Sequence, residues 1–282
     1  MKHVESSTNF KCIVYKLVKV EAKEIFTKTR IPGASYVLNQ YIGCGHACLY
    51  CYAKFMCRWK RYGDWGSWIE AKVNAPELVR DKHVHGMVYM SSVSDPYQPI
   101  EKELKLTKRV LKNMNKDIYL RILTKSNLLL RDIDVLAQFR HLEVGLTLNG
   151  FDGKLKRVFE PYSPGHEDRV KALEKLSSEG LKTYAFISPA IPHLVDVTAL
   201  IKQLKDLVNF FIVEPLNIKL CGHCFLKALE ELAPESFKAI NSLDKYLSYH
   251  KQLRRELRGL GVKTMLVAHY PRLCVYEFCT EN

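Results

Sequence analysis

The 282-residue chain is 47% hydrophobic and 26% charged, an ordinary globular composition with enough length to bury a core of barrel size. Residues Met1–Ser7 hold no apolar signal core and no stretch is apolar for long enough to span a bilayer, so no membrane partner and a cytoplasmic location are expected. Nine cysteines, several of them clustered, read as metal ligands in a reducing compartment rather than a disulfide framework, and the net charge of +13 makes nucleic acid the first partner to consider. Lysines on solvated helix faces, as in Glu101-Lys102-Glu103-Leu104-Lys105, produce the same total without any partner, so charge is mild support only.

In chain order, residues 11–20 are β-branched and partly alternating, predicting an early strand. Ile31-Pro32-Gly33 marks a turn before the strand-like run Tyr36–Tyr41. That run feeds Gly43-Cys44-Gly45-His46-Ala47-Cys48-Leu49-Tyr50-Cys51-Tyr52, with three cysteines at spacings of four and three. Three thiolates on a tight loop can cap three corners of a cubic iron–sulfur cluster, leaving the fourth iron open for chemistry. The alternative is a zinc knuckle completed by His46 or Cys57, but zinc sites pair two short motifs across a gap and this loop is one dense triplet. The segment Tyr52–Tyr62 reads as a helix carrying aromatic and basic groups together. Packing of its aromatics against the body of the fold is the commoner arrangement; stacking of single-stranded nucleic-acid bases is the other.

From residue 84 strands and helices alternate. Strands are predicted at Val84–Met90, Ile118–Leu123, Leu142–Leu148, Leu181–Ile187 and Phe210–Val213, and helices at Lys102–Met114, Leu130–Phe139, His166–Ser178 and Thr198–Val208. With the strand near Val37 this gives six βα units, hence a parallel sheet with right-handed crossovers. Helices near Phe225–Leu232 and Phe237–Leu257 and a late strand at Val262–Val267 would close the open side. Polar clusters fall at the predicted strand C-termini, where parallel barrels place their active residues: Ser91-Ser92-Val93-Ser94-Asp95-Pro96-Tyr97-Gln98-Pro99, Thr124-Lys125-Ser126, Thr147 with Asn149, and Glu214-Pro215-Leu216-Asn217.

Cys44, Cys48, Tyr50 and Cys51 match the C-x3-C-x-aromatic-C signature, and the chain resembles the radical S-adenosylmethionine (radical SAM) superfamily. Ser94-Asp95-Pro96-Tyr97-Gln98-Pro99, Leu123-Thr124-Lys125-Ser126, Glu160-Pro161 with Arg169, and Pro189-Ala190-Ile191-Pro192 resemble its spore-photoproduct-lyase-like branch over roughly residues 35–215. The resemblance implies a partial (β/α)6 TIM barrel with a C-terminal helical extension, and a 4Fe-4S cluster on Cys44, Cys48 and Cys51 whose open iron takes S-adenosylmethionine. It further implies a flavodoxin- or ferredoxin-like electron donor and a 5′-deoxyadenosyl radical that abstracts hydrogen from the substrate. Carried over by position, Lys125 meets the SAM carboxylate, Thr147 and Ser92 or Ser94 contact the cofactor, and Tyr50 packs near the adenine. Arg169 belongs with them either as a buried pair with Glu160 supporting the pocket or as a helix-edge ion pair. Repair lyases of the branch return hydrogen from a cysteine near the Ser-Asp motif. Residues 88–98 contain none, so the branch implies architecture and first-step chemistry and leaves the substrate open between nucleic acid and peptide or protein. Cys57 has no place in the signature and reads as a packed thiol.

Cys221-Gly222-His223-Cys224, with Cys274 and Cys279 near the end of the chain, offers two cysteine pairs for an auxiliary iron–sulfur cluster or a structural zinc, against four unrelated thiols. The expected organisation is residues 1–33 as an N-terminal strand and lead-in, 34–217 as the barrel, and 218–282 as an extension covering it. A non-catalytic, zinc-containing nucleic-acid-binding protein is the reading from another class.

Overall fold

The computed structural model describes residues 5–10, 13–270 and 273–279. Strand β1 (Glu5–Phe10) pairs antiparallel with β2 (Ile13–Val20), and β3 (Phe26–Lys28) antiparallel with β4 (Tyr36–Leu38). After β5 (Tyr41–Ile42) and the cysteine loop comes the expected aromatic and basic segment. It splits into a 3-10 turn, Tyr52–Phe55, and the short helix α1 (Met56–Lys60), ended by Arg61 in the left-handed conformation. Trp59 on this helix is 76% exposed, so its ring does not pack against the body of the fold. Then β6 (Trp68–Lys72), which the sequence did not announce, returns to lie parallel to β2 and antiparallel to β5. The result is a separate four-stranded sheet, β1-β2-β6-β5, with Trp68, Ile69 and Ala71 buried.

The second sheet is the frame of the molecule. After α2 (Ala75–Val79) and β7 (Val88–Met90), the expected helix Lys102–Met114 is two helices, α3 (Glu101–Leu104) and α4 (Leu106–Asn113), parted by Lys105 at φ +48°. The reason is local: the buried Glu101 carboxylate accepts the Thr107 and Lys108 amides at 2.9 and 3.3 Å, capping α4 from the side instead of letting the helix run on. Strand β8 (Leu120–Thr124), a 3-10 turn at Asn127–Asp132 and α5 (Ile133–Leu136) follow. Next are β9 (Leu142–Leu148), α6 (Gly153–Phe159), α7 (His166–Ser178), β10 (Thr183–Ala190), α8 (Val197–Leu204) and β11 (Phe210–Pro215). The C-terminal helices are α9 (His223–Leu232), α10 (Pro234–Ile240) and α11 (Leu243–Gly259), before β12 (Thr264–Tyr270) and β13 (Leu273–Phe278).

Strand order is β3-β4-β7-β8-β9-β10-β11-β12-β13. The six strands from β4 to β11 are parallel, as six βα units require, and the late strand β12 joins as a seventh parallel member beside β11. Antiparallel β3 and β13 form the two ends of the order. Alternate residues such as Leu120, Ile122, Val144, Leu146, Ala185 and Ile187 are buried. Gly145 in β9 is a packing requirement, because a Cβ there would lie 2.2 Å from the Tyr184 ring. This α/β partial barrel, with its helices on the crossovers, sends the C-terminal ends of β7, β8, β9, β10 and β11 to one rim, and the cysteine loop lies against that rim.

Candidate functional site

Gly43 sets the path of the cysteine loop. Its φ is +83°, and a Cβ would approach the Trp68 carbonyl oxygen to 2.6 Å, so only glycine makes this turn out of β5. Two loop turns follow, with the Ala47 amide on the Cys44 carbonyl and the Cys51 amide on the Cys48 carbonyl, both at 3.2 Å. Cys44 and Cys48 are buried and Cys51 is half-buried. Burial pushes all three thiols up, Cys48 to about 12 despite the Lys125 ammonium, and the neighbouring cysteines push Cys44 and Cys48 further in the same direction. A bare loop therefore disfavours the thiolates, and what it lacks is positive charge of the kind that a thiolate-bound metal group provides. The donor set, three soft sulfurs in a half-dry cradle, fits an iron–sulfur cluster.

The single-ion alternative fits less well. Among the described residues no three His, Cys, Asp or Glu side chains converge around one ion. His46 is turned into the protein, its Nδ1 3.1 Å from the Tyr162 carbonyl oxygen and its Nε2 3.4 Å from Asp95 Oδ2, and Cys57 sits half-exposed on α1. A cubic cluster spreads its thiolates over separate irons and needs no such convergence.

The three cysteines line one cavity of about 490 Å³. Tyr50, Ser92, Ser94, Lys125 and Thr147 share that lining, with Glu214 near the end of β11, Asn217 just beyond it, and an apolar wall of Phe186, Ile212, Met265 and Val267. The contribution of Met265 and Val267 from β12 was not visible in any motif. Lys125 Nζ lies 5.6 Å from the Tyr50 ring centroid. Burial would lower the Lys125 pKa, but Cys48 and Glu160 hold it above the usual lysine value, so the ammonium is charged. Ser94 Oγ is buried and has no hydrogen-bond partner, a polar group left for a ligand. Ser92 is instead engaged by Asn39, whose Nδ2 donates to the serine hydroxyl at 3.0 Å and whose Oδ1 accepts the Ser92 amide at 2.7 Å.

Arg169 is 2% exposed and stands behind the cavity rather than in its lining. Its guanidinium donates to Glu160, to the Thr147 carbonyl at 3.0 Å, to Ser163 Oγ at 2.8 Å and to the Pro164 carbonyl. Of the two sequence alternatives the buried pair with Glu160 is the arrangement found. Glu160 in turn accepts the Tyr50 hydroxyl and the Asn149 amide, the latter at 2.8 Å, so the pair fixes the ring that faces the cavity. Burial would raise the Glu160 carboxyl, yet Arg169 and then Lys125 pull it down to about 2. On the other side, Asp95 accepts the Tyr97 amide at 2.8 Å, the Thr124 hydroxyl at 2.6 Å and the Lys125 amide at 2.8 Å. Burial opposes ionisation here too, but His46 and these donors hold the carboxyl below the usual range.

Among the described residues the second cysteine group shows no comparable geometry. Cys221 is buried with its thiol 3.2 Å from the Ile218 carbonyl, Cys224 is exposed on α9, and Cys279 is buried after β13; the Cys274 side chain lies outside the described residues. No helix among the described residues is long and apolar enough to cross a membrane.

Residues 38–201 match the family model of the radical SAM superfamily. The chain is 50% identical over 234 residues to the uncharacterized protein MJ0683 of Methanocaldococcus jannaschii, covering 83% of this chain and 90% of that one. It is 28% identical to the uncharacterized protein ORF301 of Acidianus two-tailed virus, covering 61% of this chain and 64% of the viral protein. Among solved structures, a spore photoproduct lyase variant with bound AdoMet and dinucleoside spore photoproduct superposes with a TM-score of 0.58 at 17% identity, over 77% of this chain and 66% of that one. The lyase complexed with the dinucleoside alone gives 0.54 at 20% identity, over 70% and 60%. That likeness is one of fold, and the chain spans about two thirds of the lyase or less. The partial parallel barrel and the family match lead to one conclusion: the chain belongs to the radical SAM superfamily, enzymes that use S-adenosylmethionine with an iron–sulfur cluster.

Proposed function

We propose that Cys44, Cys48 and Cys51 hold a 4Fe-4S cluster, that S-adenosylmethionine binds beside it in the 490 Å³ cavity, and that the enzyme abstracts hydrogen from a nucleic acid. The observation that carries the cofactor reading is that three buried thiols line the same cavity as a charged Lys125, an unpartnered Ser94 hydroxyl and the Tyr50 ring. When bound, the two groups supply a 5′-deoxyadenosyl radical, with one electron from a flavodoxin- or ferredoxin-like donor. The chain's own work is placement. Lys125 offers a charge-assisted bond to the cofactor carboxylate, Ser94 a hydroxyl, and Tyr50 an aromatic edge held by Glu160. Phe186, Ile212, Met265 and Val267 exclude water from the wall, protecting a radical from side reactions.

Two observations support nucleic acid as the substrate class. Tyr52 and Phe55 line the cavity and are 44% and 36% exposed, and exposed Trp59, Arg58 and Arg61 continue them outward. Rings for base stacking beside cations for phosphate, on a chain of net charge +13, suit an unpaired strand entering the cavity. The spore photoproduct lyase structures, alike in fold, contain a bound dinucleoside. The test is anaerobic incubation of reconstituted protein with S-adenosylmethionine, a reductant and either single-stranded oligonucleotides or peptides. The expected result is 5′-deoxyadenosine that rises with oligonucleotide alone. A rise with peptide alone overturns the substrate reading, and a colourless, iron-free protein after reconstitution overturns the cofactor reading.

A further inference from the structure

In the Asp-Pro-Tyr-Gln-Pro segment after β7 the Gln98 side chain is fully buried, and no step above uses it. Its Oε1 accepts the Gly45 amide at 2.7 Å and its Nε2 donates to the Gly43 carbonyl at 3.2 Å. The two glycines flank Cys44, so one side-chain amide grips the backbone on both sides of a single cysteine. Partner chemistry fixes the orientation of that amide, because an N–H must meet the oxygen and a carbonyl must meet the nitrogen. The same segment reinforces the grip. The Gly43 amide donates to the Val93 carbonyl at 3.2 Å, Asp95 faces His46 two residues beyond Cys44, and Pro99 lies 3.5 Å from where a Gly45 Cβ would stand.

We propose that Gln98 is a positioning residue for Cys44, and that it sets how firmly the cluster is retained. The inference rests on the reading of Cys44, Cys48 and Cys51 as cluster ligands. A primary amide donates and accepts at once along this short span, which neither a carboxylate nor an aliphatic side chain does. Gln98→Leu removes both bonds and leaves a buried N–H and C=O unpaired. Gln98→Glu keeps an acceptor for Gly45 but sets a second acceptor against the Gly43 carbonyl. The loop then loses its fixed path at Cys44, while the turns at Cys48 and Cys51 keep their own backbone bonds.

The experiment compares full-length wild-type, Gln98→Leu, Gln98→Glu and Thr183→Val proteins after anaerobic reconstitution. Thr183→Val is the control, since it deletes a buried hydroxyl bond to the Leu207 carbonyl of 2.8 Å at the opposite end of β10. The readouts are iron and sulfide per chain, decay of visible absorption under excess chelator, the electron paramagnetic resonance signal of the reduced protein, and denaturation of the apoprotein. Both Gln98 variants are expected to lose absorption about tenfold faster than wild type, the size of one lost buried hydrogen bond, and to show a shifted resonance signal. Thr183→Val is expected to lower apoprotein stability with wild-type cluster lifetime and signal. Gln98 variants that keep the wild-type lifetime and signal overturn the inference. So does failure of both to yield folded protein, which would make Gln98 a general structural residue; if only Gln98→Leu fails, Gln98→Glu decides. Wild-type protein that takes up no iron overturns the cysteine reading and this inference together, so the two failures are told apart by the wild-type sample.

Discussion

The chain carries two groups of cysteines, and among the described residues only one of them lines a cavity with charged and aromatic neighbours. Cys44, Cys48 and Cys51 sit on a loop whose backbone is bonded by its own turns, by Gln98 and by the Val93 carbonyl, and their thiols open on one cavity. Around them stand a cation, Lys125, and a braced aromatic, Tyr50. Cys221 and Cys224 lie one buried and one exposed at the start of α9, with the Cys221 thiol on a main-chain carbonyl and pushed up by burial to about 11. Both groups have short spacings in sequence. What distinguishes them is shared burial and a surrounding set of charges and hydrogen bonds, which spacing does not report. The largest test of the difference is removal of the first group. The Cys44/Cys48/Cys51 triple-Ala protein is expected to lose the cluster absorption and all 5′-deoxyadenosine production, measured by absorption spectroscopy and chromatography. Production that survives would transfer the chemistry to other residues.

The brace behind Tyr50 gives the next largest effect. Glu160 and Arg169 are both buried, and Glu160→Gln leaves a buried guanidinium without its counter-charge. Breaking such a pair costs about 3–5 kcal/mol, readable as a fall in the denaturation midpoint. The pH dependence follows from the depressed Glu160 pKa. A carboxyl lowered in the folded state stabilises fully above its unfolded value of roughly 4.3, and that contribution disappears as pH falls toward about 2. The wild-type protein is therefore expected to lose stability over that acid window and the Glu160→Gln variant to lose less of it. Parallel pH profiles for the two would assign the acid sensitivity to other carboxylates.

How much of this was legible before the structure depended on whether a residue's role was local. β9 at Leu142–Leu148 and α7 at His166–Ser178 match their sequence expectations residue for residue, because the apolar pattern lies within each segment and Gly180 follows α7 closely. The rim clusters were legible because parallel strands send their C-termini to one side. β6 was not, since Trp68–Lys72 owes its strand to partners in β2 and β5 distant in sequence. The break at Lys105 was hidden for the same reason as Gln98. A buried side chain replaced a backbone bond, and no periodicity records that. Arg169 shows a middle case, since its pair with Glu160 was expected either buried behind the pocket or at a helix edge, and the burial of both side chains selects the first.

A smaller effect is expected at Lys125, the cation that lines the cavity of the first cysteine group. Lys125→Ala removes one charge-assisted bond, worth about 1.5–3 kcal/mol, so the affinity for S-adenosylmethionine should fall roughly ten- to a hundredfold with iron content unchanged. Equilibrium binding to the reconstituted protein measures it. Unchanged affinity would return Lys125 to a role in holding Glu160 and Cys48, the two groups that keep its ammonium charged.

The smallest effect is the one expected at the second group. A thiol hydrogen-bonded to the Ile218 carbonyl carries its proton, and an exposed partner on α9 presents its sulfur to water rather than to a shared centre. A structural metal needs deprotonated sulfurs gathered in one place, and the folding free energy it supplies would tie the segment after β11 to the strand that ends the chain. Among the described residues Cys221, Cys224 and Cys279 do not converge on one centre. The triple-Ala protein, reconstituted anaerobically and analysed for iron, sulfide and zinc, is therefore expected to hold none of them in stoichiometric amount. About four irons per chain would establish an auxiliary cluster, and about one zinc a structural site, on Cys221, Cys224, Cys274 and Cys279. Either result would show that the helices α9 to α11 are fastened to β13 by a metal as well as by packing.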